Sequence, residues 1–379
     1  MAKRGFLQTG FVLIIVLSLL SCRKDFDKFF NCDQEDMVAS VSVLTSGLNN
    51  PRGLTFGPDG NLYVAEGGIG GADSTTGQCT QVIPPIGPYK GSNTGARILK
   101  VDWAGKITTV ADNLPSSQTS APSGSLISGV GDVVFVGNTL YGVLSGAGCS
   151  HGVSSVPNGI IKVHSNKTWE VVANLSAWQM SHPVAKPEED DFEPDGTWYG
   201  MVAVGGNLYA VEPNHGEVVK VNGNGNHIDR LIDISASQGH IVPTAIAYHD
   251  GNFYIGNLNV FPITGNSSVY KVTPSGKISV VATGFSTILG LAFDKSDGMY
   301  VLENTTGNPF PTPGTGDIIR IDPSGKRRTL VTGLNLPTAL EYGPDGNLYV
   351  SNWGFGPPAI GGGQILKIKI DCKRRLLGK

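Results

Sequence analysis

Six short apolar strands in this chain close on one aligned position, occupied by Glu66, Leu144, Glu212, Asn257, Glu303 and Asn352. Five of the six are carboxylates or amides, where the end of a purely structural strand tolerates almost any residue. Oxygen donors arriving from several repeats suit a hard cation such as Ca²⁺. Glu66, Glu212 and Glu303 are the expected metal ligands. Arg52, Thr244 and Thr338 share a second aligned position near the same end. Arg52 with Glu66, Glu212, Asn257, Glu303 and Asn352 therefore forms the expected ligand-binding set. Three carboxylates held close repel one another unless a cation, a proton or Arg52 intervenes. The plainer reading of the same residues is that each bonds the backbone of a neighbouring loop.

Other reactive residues are less organised. The stretch Asp191-Phe-Glu-Pro-Asp195-Gly196 imitates part of a calcium loop, but an EF-hand counted from Asp191 needs an acid where Val202 stands. His151, His182, His215 and His240 lie in or beside predicted loops without a metal-binding spacing. The sequence holds no GxSxG elbow and no phosphate-binding loop. Its net charge of −3 leaves nucleic acid without an electrostatic footing.

The elements that must position these residues are β-strands. Glycine (52) and proline (23) are abundant, and no long helix-period apolar pattern follows the first twenty residues. A first strand ends in an aromatic or Val at Phe56, Phe135, Val204, Tyr248, Phe293 and Tyr342. Tight turns such as Pro58-Asp59-Gly60 lead to second strands like NLYVAE and NLYVSN. Third strands carry a basic residue at Lys100, Lys162, Lys220, Lys271, Arg320 and Lys367, and fourth strands follow a further Gly turn.

First to third strands recur six times, yet only five fourth strands follow them. The missing one is VSVLTSGL, Val41 to Leu48, at the other end of the chain. A strand supplied from the N-terminus closes a ring and removes its exposed edges. The expected fold is thus all-β, a six-bladed β-propeller whose N-terminal strand completes the last blade. It should span residues 37–372, with a basic tail at 373–379. Long loops at Gly67–Gly95, Ser145–Pro157 and Ser176–Trp198 all decorate one mouth of its central channel, which is where recognition is expected.

Residues 1–21 have the layout of a secretory signal, with Lys3 and Arg4 before the apolar run Phe11 to Leu20. That run ends in Leu19-Leu20-Ser21-Cys22, which resembles a bacterial lipobox, so Cys22 is expected to carry a lipid and begin the mature chain. Residues 22–36 then form a charged tether. The implied address is the bacterial cell envelope, periplasmic or on the outer-membrane surface, with membrane contact through the anchor alone. Four cysteines remain, an even number that favours two disulfides in an exported chain. Cys79 and Cys149 lie in corresponding loops of adjacent blades. Cys32 precedes the closing strand and Cys372 follows the last one. The expected pairs are Cys79–Cys149 and Cys32–Cys372.

The segments LNNPRGLTFGPDGNLYVAEGG, GQC at Gly77 to Cys79, TGARILKVD and GGNLYAVEPN resemble the ScyD/ScyE family of exported propellers. Its DSNPYG-like entry to the third blade is replaced here by Asp195-Gly-Thr-Trp-Tyr199-Gly200. The resemblance implies the fold and export. A broader likeness extends to NHL repeats and to gluconolactonase- and strictosidine synthase-like enzymes, which place a metal or an acid/base group at the channel mouth. Two functions are therefore expected of the mouth. One is binding of a small molecule or protein partner; the other is metal-assisted hydrolysis or lysis of a small molecule.

Overall fold

The computed structural model describes residues 36–190, 192–263, 265–355 and 361–373. Six antiparallel sheets form the blades, and each blade's first strand faces the central channel. Those inner strands are Pro51–Phe56, Val130–Val136, Met201–Val204, Pro243–His249, Ile288–Phe293 and Ala339–Tyr342, in blades 1 to 6. The closing strand runs Met37–Leu48 and pairs antiparallel with Gly363–Cys372, so the N-terminus completes blade 6 as expected. It starts four residues earlier than the sequence pattern suggested, because Met37 to Ser40 find partners in Lys369 to Cys372.

Blade-on-blade packing holds the ring. Among the described residues, one apolar cluster lies between each pair of neighbours; Ile98, Val133 and Leu144 join blades 1 and 2, and Leu302, Ile318 and Leu348 join blades 5 and 6. The sixth cluster, with Leu48, Leu62, Tyr349 and Ile365, welds the last blade to the first. Alternating side chains on every strand make this possible, since each blade needs an apolar residue on both faces.

A polar clip recurs on the turn side of three blades and accounts for the basic residue of their third strands. In blade 1, Asp59 accepts hydrogen bonds from Asn61 and Tyr63 and pairs with Lys100 at 3.4 Å. Blade 6 repeats it with Asp345, Tyr349 and Lys367, the ion pair closing to 2.7 Å. Blade 5 buries the same device as Asp294, Tyr300 and Arg320.

Blade 1 departs from expectation. The segment 90–95, read as loop, continues the third strand (Lys90–Val101), which pairs with an equally long fourth strand, Ile107–Gln118. A fifth strand, Ile127–Ser128, is added at its edge. Cys79 and Cys149 form the expected disulfide, Cα–Cα 6.3 Å, linking the loops of blades 1 and 2. In the other expected pair, Cys32 lies outside the described residues, as do Cys22 and Asp191; Cys372 sits opposite Met37 at the turn-side end of its strand.

Candidate functional site

The polar ring at the second-strand ends is present, but its side chains turn away from the channel. Glu66 accepts from the backbone N–H of Asn49 at 2.9 Å and from the Arg97 guanidinium at 2.7 Å. Glu212 accepts from the N–H groups of Thr197 at 2.9 Å and His215 at 2.5 Å. Glu303 accepts from Ser286 N–H, and Asn352 from Asn335 N–H at 2.9 Å. Asn257 donates to the Ile241 carbonyl at 2.8 Å. In every case one partner lies 15 to 17 residues upstream, in the segment that enters the same blade. That segment has left one blade and not yet joined the next sheet, so its backbone groups lack a ladder partner. The ring residues supply it.

These latches commit the three glutamates to backbone groups and Arg97, as the plainer reading of the ring had it. Glu66, Glu212 and Glu303 are each buried within separate bonds, and among the described residues no three His, Cys, Asp or Glu side chains stand close enough to hold one ion. Burial pushes Glu212 and Glu303 up to about 7 and also raises Glu66 against the pull of Arg97. The acidic loop is likewise committed: Asp195 accepts from both the N–H and the hydroxyl of Ser150, and Tyr89 donates to Glu193 at 2.5 Å. His151 lies buried between Ser117 and Glu193, His215 bonds Gln179, and His182 stacks on Trp178. These bonds tie the long loops into a cap.

The open space lies lower, between the inner strands. They enclose a channel of about 370 Å³. Glycine makes room for its walls: a Cβ at Gly53 would fall 1.8 Å from Oδ1 of Asp132, so blade 1 must be bare where that carboxylate rests. At the loop end the channel is bridged. Tyr199 of blade 3 donates from its hydroxyl to the Thr338 carbonyl of blade 6, on the opposite side of the ring, at 3.3 Å. Arg52 of blade 1 donates to the same hydroxyl at 3.5 Å and lies 5.7 Å from the Tyr199 ring and 5.9 Å from that of Phe355. Arg52 thus stands at the expected mouth as part of a plug. Residues at this end, Arg52, Thr244, Leu289 and Thr338, are all buried. At the turn end Phe56 and Phe135 are half-buried and Tyr248 is 41% exposed, so the channel opens there.

Two carboxyls face the channel, Asp132 from blade 2 and Glu341 from blade 6. Asp132 accepts from Met201 N–H of blade 3 at 2.8 Å and from its neighbour Val133 N–H. Glu341 accepts from Phe56 N–H of blade 1. Each therefore caps a donor on the inner, unpaired edge of the adjacent blade. Both are partly accessible, yet only to a channel walled by protein. Desolvation pushes Asp132 up to about 7; desolvation, then the nearby Asp132 charge, pushes Glu341 up to about 8. The sequence carried a signal for both, a single carboxylate inside an otherwise apolar inner strand, in DVVF and ALEY.

No protein-family model matches the chain, and no curated protein matches it. Solved structures do. A protein assigned as a gluconolactonase superposes with a TM-score of 0.51 at 12% identity, over 89% of this chain and 96% of its own. An oxidoreductase of the glucose dehydrogenase type from Thermus thermophilus gives 0.52 at 15% identity, over 87% and 100%. A gluconolactonase from Xanthomonas campestris gives 0.52 at 8% identity, over 88% and 90%. At these identities the likeness is one of fold, and the fold is the six-bladed β-propeller.

Proposed function

We propose that this protein is an exported, lipid-anchored propeller that binds a small molecule in its central channel, entered from the turn side. The observation that carries the reading is the channel itself, bridged at one end by Tyr199 and Arg52 and open at the other past Phe56, Phe135 and Tyr248. Its volume of about 370 Å³ falls within the range of small-ligand pockets, which combine apolar walls with a few fixed polar groups. The lipobox-like Leu-Leu-Ser-Cys22 and the stretches resembling the ScyD/ScyE family support export.

A second reading, hydrolysis or lysis of a small molecule, draws on the fold shared with proteins named for gluconolactonase activity. Its acid/base groups would be Asp132 and Glu341, not the latched Glu66, Glu212 or Glu303. Thr55, on the channel wall near the open end, provides the test. Thr55→Trp should abolish saturable binding of fragments detected by ligand-observed NMR while the melting temperature stays within a few degrees. Undiminished binding to that variant would move the site out of the channel.

A further inference from the structure

We propose that the channel ligand is a small organic cation, an amine or quaternary ammonium on a compact apolar body, seated between Asp132 and Glu341. This rests on the channel-binding reading above and adds the class of ligand. Among the described residues, the only charged side chains lining the channel are these two carboxyls, and no Lys, Arg or His joins them. Two acids sharing a confined space without a counter-ion are an unfavourable arrangement that a cation relieves. The one basic group nearby, Arg52, is turned to the Ile127 carbonyl and the Tyr199 hydroxyl on the plugged side. Rings of Phe56, Phe135 and Tyr248 line the way in, and aromatic faces attract ammonium groups. Between the levels of Asp132 and Glu341 the wall includes the apolar residues Leu54, Val202, Ile246 and Leu340, which suits the body of such a ligand.

The empty site and the occupied one differ in protons. Burial holds both carboxyls up, Asp132 to about 7 and Glu341 to about 8. A bound cation favours the charged carboxylates, so it should expel protons, and affinity should rise with pH across that interval. Two other ionisable groups line the channel: Tyr199, whose phenol burial raises further so that it stays neutral there, and Tyr248 at the rim; Arg52 stands behind Tyr199 on the plugged side.

The experiment is calorimetric titration of the full exported chain with benzyltrimethylammonium, which does not titrate. Benzyl alcohol and benzoate serve as neutral and anionic counterparts, and CaCl₂ as the inorganic cation. The expected result is binding of benzyltrimethylammonium alone, tightening about tenfold from pH 6 to pH 9. Proton release should appear as a dependence on buffer ionisation enthalpy. Glu341→Gln keeps an acceptor for Phe56 N–H and should weaken binding by about tenfold while removing part of the proton release. Asp132→Asn should do the same, and either variant alone suffices if the other is unstable. Benzyl alcohol or benzoate binding equally well, and lost in Thr55→Trp, would overturn the cation class and leave the channel reading standing. Ca²⁺ binding through both acids without benzyltrimethylammonium would overturn it in favour of a metal ion. Binding that ignores pH and both acid variants would also overturn it. No binding by any of the four probes, with fragment binding unaffected by Thr55→Trp, would remove the channel reading as well.

Discussion

Glu212 and Glu303 illustrate how much a buried carboxyl depends on its hydrogen bonds. Each is held near pH 7 chiefly by desolvation, although backbone N–H donors pull the other way. Asp132 and Glu341 are raised in the same sense. A group whose folded pKa lies above its unfolded value adds stability that is complete below the unfolded pKa, and that stability is lost as pH rises through the folded one. For these four the loss runs from about pH 4.5 to about pH 8. The turn acids Asp59 and Asp345 are lowered despite some burial, by hydrogen bonds and their lysines, so they lose stability as pH falls below about 4. His215, lowered by burial, opposes the four by favouring pH above its ordinary value. Glu66, Glu217 and Asp317 are raised in the same sense as the four. With these carboxyls against one imidazole, the melting temperature should peak near pH 5 and decline toward pH 8. A melting curve flat from pH 5 to 8, or shaped identically in Glu341→Gln, would contradict this account.

Among the strands, the recurrent Asp, Tyr and basic clip separates exposed from buried charge. Lys100 and Asp59 are both about one-third exposed, and a pair like that contributes about 0–1 kcal/mol. Arg320 and Asp294 are almost wholly buried, with Tyr300 completing the site. Removing one partner there leaves an uncompensated charge, at about 3–5 kcal/mol. Arg320→Ala should therefore destabilise the protein several-fold more, in kcal/mol, than Lys100→Ala, as read from urea midpoints at constant m. Equal effects would mean that blade 5 tolerates a bare Asp294. Equivalent repeat positions thus carry unequal energies, because burial differs from blade to blade.

For the whole molecule, direction along the ring decides orientation. The closing strand enters at Met37, beside Cys372, on the face that bears the tight turns and the open channel end. The described chain therefore begins, at Asp36 and Met37, on the face with the open mouth, the end nearer to an anchor if Cys22 carries one. If Cys22 is anchored, residues 22–36 could span at most about 50 Å when fully extended, ample for a small ligand to pass beneath. Cys22→Ser should shift the protein from the membrane to the soluble fraction of the envelope without changing fragment binding in the channel. Retention in the membrane fraction by that variant would rule out the anchor. The long loops of blades 1 and 2, stapled by Cys79–Cys149, face the other way.

Repetition made the architecture legible: six copies of a strand pattern, five fourth strands after them, and Val41 to Leu48 left over admit one closed ring. The same count placed Cys79 beside Cys149 and Arg52 at the loop-side mouth. It offered two roles for the ring of Glu66, Glu212, Asn257, Glu303 and Asn352, ligand site or loop latch, and did not decide between them, because a strand end shares its level with both the channel and the incoming loop. Which one the side chain meets depends on where unpaired backbone N–H groups and carbonyls lie, and those exist only once the blades are assembled. Asp132 and Glu341 were visible as acids in apolar strands, but nothing local relates the second blade to the sixth. Ring closure brings them to one channel, and the enclosure it creates is what strips them of water and raises their pKa values. Tyr199 reaches across to Thr338 for the same reason, and so the open end of the channel was decided by tertiary structure alone.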